Sequence, residues 1–162
     1  MKRIYFILTI LSMSIHLYAQ DDYKQKNNGN YDVYEGTWVY QSNDTVFKIV
    51  LKKGDLYYVP IRKKTKAIFG SYYLSVGNRV IDDYRGELPK KIVLDKGKIK
   101  WPENLCLKGS NSAYYDSSTP PPYLSLNFFD KRKRHFEGSG IGGGSIELLS
   151  PDSIHFYLDE KF

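Results

Sequence analysis

The chain has one cysteine, three histidines and two tryptophans among 162 residues. Its single cysteine, Cys106, cannot form an internal disulfide, so the fold must be held by burial of apolar side chains, and we expect a buried, inert thiol. The few histidines lie far from that cysteine and provide no zinc-binding framework. Beyond the N-terminal segment, no apolar stripe recurs with a period of 3.6 residues, which excludes long amphipathic helices.

Recognisable catalytic signatures are also missing. The sequence contains no G-x-S-x-G motif, no cysteine–histidine pair and no histidine-rich zinc spacing. Gly138 to Gly143 has the spacing G-x-G-x-x-G, but a strand pattern follows it, whereas dinucleotide binding needs a helix N-terminus there. We therefore predict a non-catalytic protein without cofactor or metal.

The first nineteen residues have the pattern of a secretory signal peptide. Met1 to Arg3 is positively charged, Ile4 to Ile15 is apolar but shorter than the ~20 residues of a membrane span, and Ala19 suits a peptidase. Cleavage before Gln20 predicts an exported chain of 143 residues, periplasmic or extracellular, without a transmembrane segment. Its net charge falls from +6 to +4, too little to suggest a nucleic-acid partner.

The remaining sequence divides into a flexible arm over 20–33 and one β domain over 34–162. The arm is polar and rich in asparagine and lysine. The domain has short runs of alternating apolar and polar residues separated by glycine, asparagine, aspartate and proline. This pattern predicts an all-β antiparallel meander, a lipocalin-like barrel or a strongly curved sheet. The predicted strands are 34–41, 45–53, 56–61, 68–76, 79–82, 91–94, 98–101, 123–129, 134–137, 145–149 and 153–158.

Burial of apolar side chains sets the register of the last hairpin. Matching the apolar faces places Ile146 opposite Phe156 and Leu148 opposite Ile154. Glu147 then lies opposite His155 on the other face, as a cross-strand pair or, alternatively, a general acid and base.

Tyrosine is the compositional outlier, with fifteen copies. Tyr57-Tyr58 and Tyr72-Tyr73 each place one ring on either side of a strand, and Tyr114-Tyr115 lie in a proline-rich loop. Exposed tyrosine rings with their hydroxyls are typical of sugar-binding sites, although cross-strand packing explains them equally well. The candidate ligand-binding residues are Tyr58, Tyr73, Tyr114 and Tyr115.

Two alternative functions depend on charged residues. Lys131, Arg132, Lys133 and Arg134 form the densest basic run and could hold an anionic envelope polymer in a structural or adhesive protein. A small hydrolase could instead use Glu147 with His155, or the pair Asp82 and Asp83.

The stretch Tyr34-Glu35-Gly36-Thr37-Trp38, followed by a strand ending in Lys52-Lys53 and by Gly70-Ser71-Tyr72-Tyr73, resembles a family of small exported Bacteroidota proteins. That family, a domain of unknown function, has a Y-x-G-T-W opening, and no activity can be carried over from it. Gly36-Thr37-Trp38 also resembles the G-x-W of lipocalins, which implies structural roles for Gly36 and Trp38 in a meander barrel. We expect a binding domain for a small molecule, a glycan or an envelope component.

Overall fold

A computed structural model describes residues 24–25, 29–96, 101–111, 121–129 and 141–158. Within these ranges the chain forms ten strands, two short 3-10 turns and no α-helix, which confirms the all-β prediction. The strands are β1 (Lys24–Gln25), β2 (Gly36–Ser42), β3 (Thr45–Tyr58), β4 (Lys63–Val76), β5 (Arg79–Asp83), β6 (Lys91–Leu94), β7 (Leu107–Ser110), β8 (Tyr123–Phe128), β9 (Ile141–Ser150) and β10 (Ser153–Tyr157).

Strands β3 and β4 form a central hairpin of fourteen residues each. Their antiparallel register runs without a shift from Thr45 opposite Val76 to Tyr58 opposite Lys63. The predicted strands 45–53 and 56–61 were separated by a turn at Gly54-Asp55. That turn is wrong, because Gly54 continues the strand opposite Ala67. The chain reverses later, through the 3-10 turn Val59–Ile61.

The main sheet follows the order β10-β9-β8-β7-β4-β3-β2, with antiparallel pairing at every step. Strand β5 adds to β4 antiparallel, whereas β1 on β4 and β6 on β3 pair in parallel. The parallel additions depart from the predicted meander, since they need long connections. The result is a nearly closed, barrel-like sheet consistent with a lipocalin-like architecture.

One face of this sheet encloses the main core. Alternate residues of β3 and β4 point inward, and Tyr72 lies among the rings of Phe47, Tyr84 and Phe128 at centroid distances of 5.2 to 5.9 Å. The other residues of the buried cluster are Tyr31, Tyr34, Ile49, Leu51, Ile68, Cys106, Leu107, Leu124, Leu126 and Ile146. The expected burial of Cys106 is confirmed.

Part of the segment expected to be a flexible arm is bound to the domain. Tyr31 is 1% exposed and its hydroxyl accepts a hydrogen bond from the Asn111 backbone N–H at 3.2 Å. Tyr34, in the 3-10 turn Asp32–Tyr34, is fully buried and donates to the Pro121 carbonyl at 2.5 Å. These rings anchor the chain ahead of β2, so the strand expected from Tyr34 begins at Gly36.

A second, smaller core covers the outer face at the far end of the β3–β4 hairpin. It comprises Leu56, Ala67, Phe69, Leu88, Ile92 and Leu105. The segment after β5 supplies half of these residues and folds back over the hairpin. This explains why β4 is apolar on both faces.

The predicted register of the last hairpin is confirmed at all three positions. Ile146 lies opposite Phe156, Leu148 opposite Ile154, and Glu147 opposite His155. The strands predicted at 98–101 and 134–137 fall wholly or largely outside the described residues, and Trp101, which is described, is not in a strand. In the part of the chain that the structure describes, no helix has the length and apolar character needed to cross a membrane.

Candidate functional site

A cavity of about 640 Å³ lies between the two end strands of the main sheet, β2 and β10. Among the described residues, no strand pairing joins β2 to β10, so the barrel has a slot at this position. The cavity is lined by Thr37, Trp38, Val39, Tyr40, Phe47, Ile49, Asp152, Ser153, Ile154, His155 and Phe156.

The inner wall of the slot is aromatic and aliphatic. Phe47 on β3 and Phe156 on β10 approach each other across the interior with ring centroids 5.8 Å apart. Trp38 is half-buried beside them, and its indole N–H donates to the Tyr34 carbonyl at 3.0 Å. The indole is thereby held in place from behind while its ring lines the cavity.

The edge of β2 is exposed and carries no charge. Its sequence, Gly-Thr-Trp-Val-Tyr-Gln-Ser, contains no charged residue and no proline, and its register with β3 has no bulge. Val39 is 57% exposed and Tyr40 is 61% exposed. Sheet edges in soluble proteins are usually guarded by charges, prolines or bulges, and β2 has none of these.

The carboxylate and the imidazole among the lining residues belong to the opposite rim. Asp152 lies in the turn before β10, and Ser153 and His155 share the outer face of that strand. The His155 Nδ1 is 3.8 Å from a Glu147 carboxylate oxygen, and both side chains are more than half exposed. Within the described residues no cluster of three metal-ligating side chains occurs. An apolar cleft with a few polar groups at its rim suits binding of a partly apolar ligand.

Of the residues proposed from the sequence, the structure brings Trp38 and His155 to this cavity. Gly36 opens β2 with a φ of +143°, a conformation that residues with a Cβ rarely adopt. No atom lies within 4 Å of the position where a Cβ would be, so backbone conformation alone requires the glycine. The structural roles expected for Gly36 and Trp38 stay predictions.

Tyr58 and Tyr73 lie outside the cavity, on the outer face of the central hairpin. Their register positions are ten residue pairs apart, about 34 Å along the strands, so they do not form one site. The Tyr58 ring packs on the second core, and burial raises the pKa of its hydroxyl. The Tyr73 ring contacts two cations, Lys48 at 5.6 Å and Arg85 at 4.4 Å.

Asp82 and Asp83, which were proposed for hydrolysis, are each bound to a neighbouring side chain. Asp82 is buried and accepts a hydrogen bond from the Tyr72 hydroxyl at 3.2 Å. Asp83 binds Arg85 through two side-chain hydrogen bonds of 2.8 and 2.7 Å, and the guanidinium lowers the pKa of that carboxyl. Neither aspartate lines the cavity. The candidates Tyr114 and Tyr115 and the basic run Lys131, Arg132, Lys133 and Arg134 lie outside the described residues.

Sequence reasoning missed the residues that make the slot: Val39, Tyr40, Phe47, Ile154 and Phe156. Their strands were predicted, and so was the shared buried face of Ile154 and Phe156, but not that the first and last strands of the main sheet would face each other unpaired. The available signal was the absence of charge and proline throughout β2, which is unusual for a sheet edge.

Comparison with known proteins gives a family but no function. No curated protein and no solved structure matches the chain. One family model matches residues 1–162, and its description is that of a family of unknown function, DUF6705. Because the match covers the whole chain, this protein belongs to the family DUF6705.

Proposed function

We propose that this protein is a non-catalytic binding domain that takes the apolar part of a ligand into the slot between β2 and β10. The observation that carries the proposal is the cavity of about 640 Å³, whose wall includes Trp38, Phe47 and Phe156. Ligand sites are typically concave, mostly apolar and within this range of volume. A small molecule, a glycan or an envelope component with an apolar face fits these requirements.

Binding is better supported than hydrolysis at the same cavity. His155 lies at the rim, but it and Glu147 are both more than half exposed and 3.8 Å apart, so water weakens their interaction. General acid–base catalysis requires a group held within hydrogen-bond reach of the reacting proton. Turnover of a chromogenic ester that is abolished by His155→Gln would overturn the non-catalytic part of the proposal.

The proposal includes export of the protein from the cytoplasm. The basic start, the apolar run and Ala19 favour removal of the first nineteen residues, and a binding domain outside the cytoplasm is compatible with one buried cysteine. Expression in a host with a secretory pathway should yield an intact mass corresponding to a chain that begins at Gln20. A mass corresponding to the uncleaved 162 residues would contradict this.

The cavity can be tested with a fluorescent apolar probe, because one of the two tryptophans lines it. In Trp101→Phe, Trp38 is the sole tryptophan. We expect anilinonaphthalene sulfonate to bind this variant, to shift its emission to the blue and to receive energy from Trp38 on excitation at 295 nm, a wavelength that tryptophan absorbs.

Two exposed tyrosines on the end strands give a matched comparison. Tyr40 lines the cavity, whereas Tyr157 on β10 does not. Removing an exposed ring that a ligand partly covers costs about 1 to 1.4 kcal/mol, so Tyr40→Ala should weaken probe binding about five- to tenfold. Tyr157→Ala should leave the affinity unchanged. Equal affinities for the two variants, or no energy transfer from Trp38, would count against the slot as the binding site.

A further inference from the structure

The directions of β2 and β10 determine which kind of strand could fill the slot between them. Seven strands follow one another in the main sheet, each antiparallel to the next. An odd number of alternating strands leaves β2 and β10 running in the same direction. Direct pairing between them would be parallel, whereas one additional strand, antiparallel to both, would complete an eight-stranded antiparallel barrel. Eight strands is the size at which small ligand-binding barrels close.

The volume of the cavity corresponds to that of a short piece of strand. A strand in a packed sheet occupies about 4.8 Å laterally, about 10 Å in depth and about 3.4 Å per residue, or about 160 Å³ for each residue. The volume of about 640 Å³ therefore corresponds to about four residues. The lining of β2 is also four residues long, from Thr37 to Tyr40.

Both sides of the slot offer unpaired backbone groups. Alternate residues of an edge strand direct their N–H and C=O groups away from the sheet, and β2 and β10 each have one neighbour in the described structure. A folded second copy could pair with one of these edges but not with both, because its own edge strand is already joined to a neighbour. A segment with two free edges, that is, an extended peptide, can pair with both.

The side chains around the slot indicate the composition of that peptide. Inward positions would contact the apolar group of Trp38, Phe47 and Phe156, which favours aliphatic side chains. Outward positions would lie between Val39 on one side and Ser153 and His155 on the other, which favours small, uncharged side chains. Neither β2 nor β10 contains a lysine, arginine, aspartate or glutamate that would select a charged partner along the strands. The one carboxylate among the lining residues, Asp152, lies in the turn before β10, at one end of the slot.

We propose that the ligand of this slot is an extended, uncharged peptide segment that adds as the eighth strand, antiparallel to both β2 and β10. The inference rests on the proposed function, because it names the ligand class for the same cavity. Main-chain hydrogen bonds on both edges would supply affinity, and the alternating apolar side chains would supply selectivity.

Backbone methylation of a synthetic peptide tests the inference. The probe is acetyl-Thr-Val-Thr-Val-Thr-Val-Thr-amide, added to Trp101→Phe in competition with anilinonaphthalene sulfonate. Two further peptides have identical side chains, one N-methylated at alternate residues and the other at the intervening residues. Each methylated set lacks the N–H donors of one edge, because successive residues of a strand direct their backbone groups to opposite edges.

We expect the unmethylated peptide to displace the probe and to slow amide exchange in both β2 and β10. Each methylated peptide should bind at least tenfold more weakly, since each loses two or more hydrogen bonds worth about 1 kcal/mol each. Tolerance of one methylated peptide would mean pairing at a single edge and would overturn the proposal. Binding of both methylated peptides as tightly as the unmethylated one would also overturn the proposal. So would a failure of every peptide to displace the probe. In both cases the probe still binds, so the proposed function would stand. Failure of the probe itself to bind would instead refute the proposed function.

Discussion

Gly54 shows how one residue can carry two contradictory signals. In sequence, Gly54-Asp55 has the composition of a turn, yet the residue lies in the middle of β3. A Cβ at this position would come within 2.3 Å of the Phe69 ring and 2.9 Å of the Lys90 carbonyl oxygen. The glycine is required by close approach of an aromatic ring, which is a known role of glycine inside strands.

We predict that Gly54→Ala destabilises the protein by about 1 to 3 kcal/mol, because the buried Phe69 ring has no free space to move into. In the background of Phe69→Leu the same substitution should cost less, with a residual cost from the Lys90 carbonyl. Urea unfolding of the four proteins measures both values as a double-mutant cycle. Additive effects would contradict the proposed contact.

The protonation of Lys108 makes the free energy of unfolding depend on pH in the alkaline range. Its ammonium lies 5.9 Å from the Trp101 ring centroid, and burial lowers the pKa of the side chain below its ordinary 10.5. Between the lowered pKa and 10.5 the unfolded state binds more protons than the folded state, so this residue makes stability increase with pH in that window. Below the window its charged form is buried at a cost to stability.

We predict that Lys108→Met is more stable than the natural chain at neutral pH and that the difference shrinks toward pH 10.5. Urea unfolding at a series of pH values measures this difference. Comparing the two proteins is essential because Lys53 and Lys64 have raised pKa values, through hydrogen bonds to Asp32 and Asp55, and lose stabilisation above 10.5. A constant difference across the series would show that burial of Lys108 does not perturb its titration.

At the scale of elements, the sequence predicted strands best where local pattern and burial agree. The last hairpin was placed residue by residue, because Ile146, Leu148, Ile154 and Phe156 alternate on a single buried face. The pattern was less informative in β4, whose two faces are covered by different cores. Alternation cannot report burial on both faces. The start of β4 at Lys63 was missed for another reason, because Lys63, Lys64 and Lys66 make its first four residues basic and not apolar.

The 3-10 turn ahead of β2 is the element that the sequence represented least well. Tyr31 and Tyr34 follow a polar run and were assigned to the arm or to a strand, because nothing local shows that their rings enter the core. Both rings are now seen to make long-range hydrogen bonds, to Asn111 and Pro121. Such contacts link residues 80 or more positions apart and have no local signature.

We predict that truncation separates the two parts of this segment. A chain beginning at Gly29 loses the two-residue strand β1 and should keep its stability within about 1 kcal/mol. A chain beginning at Glu35 also loses Tyr31 and Tyr34, each costing about 3 to 5 kcal/mol, which consumes most of the typical stability of a domain. Thermal unfolding by circular dichroism compares the two. Equal midpoints would mean that these rings do not stabilise the core.

At the scale of the whole molecule, strand order determines where the proposed binding site lies, and strand order is the property that local pattern reports least. The composition of every strand lining the slot was visible in sequence, but the pairing of β4 with β7 was not, because it joins segments about forty residues apart. That pairing sets the number of strands in the main sheet and therefore the direction of β10 relative to β2. The position of the cavity, between β2 and β10, follows from this number of strands.

The open slot has a direct signature in backbone hydrogen exchange. Because β2 has one neighbour among the described strands, every second amide from Gly36 to Ser42 should exchange about 100-fold or more faster than the amides between them, which are bonded to β3. Ile68 to Gly70 lies between β3 and β7 and should show uniform protection. Exchange measured by NMR on the unliganded protein distinguishes the alternatives. Uniform protection along β2 would mean that its outer edge is already paired, which would remove both the slot and the eighth-strand proposal, since a paired edge has no hydrogen-bonding capacity left for a peptide.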